Sequence, residues 1–130
     1  MTRLLLITLF LLSRAPAYAE WVEVGGSIDG NMTTYADPST IRHKGNMVKM
    51  WGLYDFKTIQ PGSGTPYLSR KWQNEYDCAD EQIRFLAFYL YSGAMGTGDL
   101  VYFSVDPWKW TPVSPGSVNQ SMWKLACKAP

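Results

Sequence analysis

The chain has 130 residues, 46% hydrophobic and 15% aromatic, with 12 Lys and Arg against 11 Asp and Glu for a formal charge of +1. That length suits one domain, and the charge balance argues against nucleic acid, whose phosphates are held mainly by clustered Lys and Arg. No apolar run reaches the roughly 20 residues that a membrane-spanning helix needs.

Arg3 precedes a nine-residue run over 4–12, apolar except at Thr8, and Ala17-Tyr18-Ala19 then forms an A-x-A cleavage pattern. This order predicts a signal peptide over residues 1–19 and a mature domain over 20–130. Cleavage after Ala19 takes 19 residues from 130 and leaves 111; with Arg3 and Arg14 gone the formal charge is −1. Loss of Phe10 and Tyr18 leaves 17 of the 19 aromatics. The expected location is periplasmic or secreted. Cys78 is the first cysteine, so none stands near the cleavage site to carry a lipid anchor.

The mature sequence reads as short β runs divided by turn chemistry. Residues 21–24 form a first strand ended by Gly25-Gly26, and Asp29-Gly30 ahead of residues 31–35 predicts a hairpin. Asp37-Pro38 favours a type I turn, with Asp at its first position and Pro at its second. Gly45-Asn46 turns the chain into residues 47–56, which are apolar on both faces and therefore expected to be central or covered on both sides. Residues 60–66, rich in Gly and Pro, form a loop.

From 67 to 78 the chain alternates, with Leu68, Arg70, Trp72, Asn74, Tyr76 and Cys78 on one face and most of the charge on the other. This predicts a strand with one wet side. Residues 83–91 are rich in aromatics and lead into Gly93, Gly96 and Gly98, which favours a strand and turn, and residues 100–105 return. Near the end, Ser117 and Gln120 have the spacing of a capping box, and Val118, Met122, Leu125 and Ala126 recur on one helical face. Six strands with short connections imply an antiparallel meander, since parallel neighbours need long crossovers. The predicted fold is α+β: a six-stranded antiparallel sheet with a C-terminal helix packed on it.

Two cysteines occur, Cys78 and Cys127, and an even pair in an exported domain is more often a disulfide than two free thiols. Neither lies in a C-x-x-C pair and His43 is the single histidine, which disfavours a metal or redox site. A bridge between them ties helix to sheet.

Catalysis needs a nucleophile with its base, paired carboxylates or a metal. His43, within Arg42-His43-Lys44-Gly45, reads as part of an exposed turn, and no serine or cysteine occupies a nucleophile motif. Asp77, Asp80 and Glu81 lack the alternating ligands and central glycine of a calcium loop and read as a solvated turn. Gly93, Gly96 and Gly98 lead into a strand, whereas a phosphate-binding glycine loop opens a helix. No catalytic residue, metal or cofactor is expected. Trp21, Trp51 and Trp72 fall in predicted strands and are assigned to the core. Trp108 and Trp110, two apart in a Pro-bounded segment, are the candidate binding surface, with Trp123 a third, because aromatics dominate binding hot spots. The competing reading is that Trp108 and Trp110 cover a sheet edge.

Tyr35-Ala36-Asp37-Pro38-Ser39-Thr40-Ile41, Gly45-Asn46, Trp51-Gly52-Leu53, Ser69 with Lys71, Glu75-Tyr76-Asp77-Cys78, Tyr91-Ser92-Gly93, Trp110, Pro112, Pro115-Gly116-Ser117 and Cys127 follow one another in an order that resembles the bacterial surface-adhesin protein E-like family. The resemblance covers nearly the whole mature chain. It implies the same sheet, packed helix and helix-to-sheet disulfide. For function it implies a non-enzymatic binding or adhesin-like protein of the kind that binds host extracellular-matrix and serum proteins. The expected partners are envelope or host proteins, or a second copy in a homodimer. No adhesive residue is carried over. The alternative is a periplasmic carrier that holds a small apolar ligand such as haem.

Overall fold

The structure is a computed structural model that describes residues 20–128, so the leader expected over residues 1–19 lies outside the described residues. Strands β1 (Val22–Gly26), β2 (Met32–Lys44), β3 (Met47–Gln60), β4 (Tyr67–Asp77), β5 (Gln82–Tyr91) and β6 (Leu100–Ser104) lie in one sheet in chain order. Every neighbouring pair is antiparallel. A two-residue segment, β7 (Thr111–Pro112), pairs with the start of β5, and helix α1 (Val118–Lys128) follows. The predicted meander, central β3 and packed helix are all present.

Two turn expectations are corrected. Gly25-Gly26 ends the first strand, but as its last two residues inside the ladder, paired with Thr34 and Thr33, and not as a turn beyond it. Gly25 lies under the start of the helix, where a Cβ would stand 3.1 Å from Val118 Cγ2. Asp37-Pro38 does not turn the chain either: β2 runs on past it, and the register with β3 breaks between Asp37 and Arg42. Proline has no N–H to give to a ladder, so the strand bulges there. Asp37 Oδ1 accepts the Ser39 N–H at 3.1 Å, and Thr40 Oγ1 accepts the Trp51 N–H at 3.0 Å where a strand carbonyl would otherwise stand.

Trp72 occupies the middle of the face that carries the helix, with 1% of its surface exposed. Its indole lies across Gly52, the residue opposite it on β3, so closely that a Cβ at Gly52 would meet a ring carbon at 2.1 Å. Tyr54 and Phe85 flank the indole with ring centroids at 5.5 and 5.8 Å.

The helix is capped as its sequence suggests. Ser117 Oγ accepts the Gln120 N–H at 3.1 Å, and Gln120 Oε1 reaches back to the Gly116 N–H at 2.9 Å, one residue before the usual partner in a capping box. Met122 and Ala126 are fully buried, in one cluster with Ala36, Val48, Met50 and Tyr76. The disulfide Cys78–Cys127, with Cα atoms 5.6 Å apart, fastens the last turn of the helix to the residue after β4.

β3 is covered on its other side too. There Leu53 and Ser69 are wholly buried because the loop over 93–98 folds back across them. Ser69 Oγ donates to the Gly93 carbonyl at 2.6 Å and accepts the Gly96 N–H at 2.8 Å, while Asp55 Oδ1 accepts the Met95 N–H at 2.7 Å.

Three stability outcomes follow from this packing. The disulfide closes a 49-residue loop, so the Cys78→Ser, Cys127→Ser double variant is expected to lose about 4 kcal/mol in urea denaturation. Gly52→Ala is expected to lose about 3 kcal/mol by driving Trp72 off its seat, read as a lower urea midpoint at unchanged slope. Burial holds the Tyr54 and Tyr76 phenols above their usual pKa, so the folded state keeps protons that the unfolded state releases. Their stabilising contribution is complete below about pH 10 and declines as the pH rises beyond it. Tyr76→Phe should flatten that alkaline decline in the urea midpoint, and an unchanged slope would refute the assignment.

Candidate functional site

Among the described residues, five of the eight exposed large apolar side chains fall in one stretch, the other three, Val22, Ile28 and Ile59, standing apart from it. Leu100, Tyr102, Phe103, Val105 and Trp108 are each between 49% and 58% exposed. The first three belong to β6, which among the described residues pairs with β5 on one side alone and so leaves a row of backbone N–H and C=O groups free on the other. Successive residues point to opposite faces of a sheet. Tyr102 therefore joins the helix-bearing face, 5.9 Å from Phe88, and Phe103 the opposite face, stacked on Tyr89 at 6.0 Å. The edge thus offers hydrogen-bonding backbone with an aromatic ring on either side.

Beyond β6 the chain runs along the uncovered beginning of β5. The Trp108 N–H donates to the Phe85 carbonyl at 2.8 Å, and the Thr111 hydroxyl to the Ile83 carbonyl at 3.2 Å. Trp108 and Trp110 consequently straddle β5 instead of sharing one platform. Trp108 packs on Phe85 with centroids 4.9 Å apart, on the helix-bearing face. Trp110 lies on the other face, with the Arg84 guanidinium carbon 4.8 Å from its ring. Arg84 is itself fixed by Glu75 through Nε at 3.0 Å and Nη2 at 2.7 Å. Trp123 points inward, where its Nε1 donates to the Asp77 carbonyl at 2.9 Å.

The assignment of Trp51 to the main core is corrected. Trp51 is on the face away from the helix, 5.9 Å from Tyr89, with Lys71 Nζ 5.6 Å from its ring. The alternation from Trp72 on β4 to Gly52 on β3 leaves Trp51 no other side. Trp21 precedes β1 and, with Asp37, Thr40, Trp51 and Lys71, lines a shallow cleft of about 220 Å³ there.

His43 is exposed on the last turn-side residues of β2, opposite Val48. Asp77 Oδ1 accepts the N–H groups of Ala79 and Asp80, both at 3.1 Å, so this carboxylate caps the β4–β5 turn. Among the described residues no group of three or more His, Cys, Asp or Glu is placed to hold a metal ion.

The helix covers only the part of its face built from Ala36, Val48, Met50 and Tyr76. At the other end a groove of about 430 Å³ is lined by Tyr67, Arg70, Phe88, Leu90 and Tyr102. Arg70 stands where the alternation of β4 calls for an apolar side chain, and burial holds its pKa below the usual value, opposed by Tyr54 and Tyr67. Even so, an arginine remains charged at neutral pH. The sequence carried the signal for this residue, the one charged side chain on a mostly apolar strand face, without saying that its surroundings would hold no counter-charge.

Against known proteins, the sequence model of the family described as surface-adhesin protein E matches residues 21–128. Solved structures of Haemophilus influenzae protein E share the fold. Its selenomethionine form has a TM-score of 0.62 at 13% identity, with 86% of this chain and 90% of that one covered. A second crystal form gives 0.60 at 12% identity, with 86% and 91% covered. No curated protein matches the sequence.

Proposed function

The chain belongs to the surface-adhesin protein E family, and from that membership we propose that it is an exported, non-enzymatic binding protein that meets its partners along the β6 edge. The observation that carries this reading is the clustering of five of the eight exposed large apolar side chains, Leu100, Tyr102, Phe103, Val105 and Trp108, on one edge strand and the segment after it, while Val22, Ile28 and Ile59 are scattered. A partner strand added to β6 gains main-chain hydrogen bonds, while pockets beside Tyr102 and Phe103 supply selectivity. The partner class implied by the family is a host extracellular-matrix or serum protein, with a second copy of the chain as the other candidate. Export agrees with the leader pattern and with a disulfide-stapled domain. No helix among the described residues is long and apolar enough to cross a membrane. Among the described residues no geometry supports a haem carrier: His43 is at the exposed end of β2 and does not line the groove.

The exported protein should bind immobilised matrix and serum proteins in a solid-phase assay or self-associate in analytical ultracentrifugation. The double variant Tyr102→Asp, Phe103→Asp should lose at least tenfold in whichever affinity is found. Absence of both kinds of binding, or an unchanged affinity in the double variant, would count against the edge.

A further inference from the structure

Two arginines of the sheet present the same edge of the guanidinium to opposite surroundings. Arg84 directs both Nε and Nη2 at one carboxylate oxygen, Glu75 Oε1, and this edge of a guanidinium is one that pairs well with carboxylates. Arg70 has its Nε and Nη2 buried and, among the described residues, without a hydrogen-bond partner. Its guanidinium carbon is 4.4 Å from the Phe88 ring centroid, 5.4 Å from Phe85 and 6.0 Å from Trp108. Aromatic faces attract a cation, yet they bring no negative charge and leave a two-pronged donor unmet. The acids closest in register are used elsewhere, on the other face: Asp55 accepts the Met95 N–H and Glu75 holds Arg84.

The groove beside Arg70 supplies what such a fork lacks. Its volume of about 430 Å³ falls in the range of small-molecule sites, which combine apolar walls with a few placed polar groups. Phe88, Leu90 and Tyr102 are the walls, and Arg70 is the one charged side chain lining it. We infer that this groove binds a small organic acid, its carboxylate on Nε and Nη2 of Arg70 and its apolar body along Phe88, Leu90 and Tyr102. A single monovalent cation among apolar walls matches a carboxylate with a hydrocarbon body better than it matches a doubly charged phosphate. Nε and Nη2 are buried, so on this inference a ligand in the groove reaches them by moving one of the three rings around the guanidinium; that of Trp108, 51% exposed and outside the groove's lining, is the least held. The inference does not rest on the edge reading, since it concerns a small molecule on the face and not a chain along β6.

The test uses the mature protein with three probes: dodecanoate below its micelle concentration, dodecanol as the same tail without charge, and acetate as the charge without the tail. Calorimetry should show 1:1 binding of dodecanoate, accompanied by a change in tryptophan emission, and at least tenfold weaker binding of dodecanol and acetate. Arg70→Gln should weaken dodecanoate at least tenfold, while Arg70→Lys, which keeps the charge and loses the fork, should fall between. Thr65→Trp, in the loop at the groove, should block binding with Arg70 intact, which keeps the question open to test if the Arg70 variants fold poorly. Trp108→Phe should retain binding and lose most of the emission change. Equal affinity for dodecanol, equal affinity for acetate, no binding of dodecanoate, or undiminished binding to Thr65→Trp would each overturn the inference.

Discussion

The seating of Trp72 on Gly52 is the contact around which the helix-bearing face is arranged. A glycine directly opposite a tryptophan lets the largest side chain lie flat on the neighbouring strand, and flat packing brings Tyr54 and Phe85 against its edges. Deleting such a buried aromatic typically costs about 3–5 kcal/mol. That is comparable with what the disulfide contributes, and each is a large part of the total stability usual for a domain of this size. The two act on different parts of the problem. Trp72 holds β3 and β4 in register from within, whereas Cys78–Cys127 limits how far the unfolded chain can spread and keeps the helix on the sheet.

The two faces are covered unequally, and the functional features lie where covering stops. A helix of 11 residues spans roughly 16 Å at 1.5 Å per residue, less than the length of the long central strands beneath it. Its reach ends before Arg70, so the groove there is bounded by side chains and loop and not by a second helix. On the opposite face the 93–98 loop does for Leu53 and Ser69 what the helix does for Met50 and Val48. It leaves Trp51, Lys71 and Tyr89 partly open.

Much of this was legible because local chemistry and tertiary structure agree. The alternation around Trp72 and Tyr76, the Gly45-Asn46 turn, the capped amphipathic helix and the single cysteine pairing each have one sterically sensible outcome. The errors fall where local chemistry was ambiguous. Asp37-Pro38 forms a turn in isolation, but Thr40 accepts the Trp51 N–H and lets the strand continue as a bulge. Gly25-Gly26 resembles a turn beyond the strand, yet it remains in the ladder because the helix passes over it. The binding surface was harder still. Spacing by two puts Trp108 and Trp110 on one side of a loop or on opposite sides of a strand according to whether the segment is extended, and its pairing along β5 decides for the second.

The treatment of the two sheet edges separates a merely exposed strand from one kept open. Edge strands invite unwanted pairing, and proteins blunt them with bulges, charge or a covering segment. β1 is interrupted between Glu23 and Gly25, carries a glycine pair and a carboxylate, and is approached by the helix. The first half of β5 is covered by the segment from Trp108 to Pro112. β6 also shifts register, between its pairings to Leu90 and Tyr91, but Tyr102 to Ser104 stay regular and carry no charged side chain. Asp99 and Asp106 bracket the strand without interrupting it. A chain that protects one edge and half of the next, yet leaves two aromatic rings and free backbone on the remaining stretch, accepts an aggregation risk there that pairing with a partner would remove.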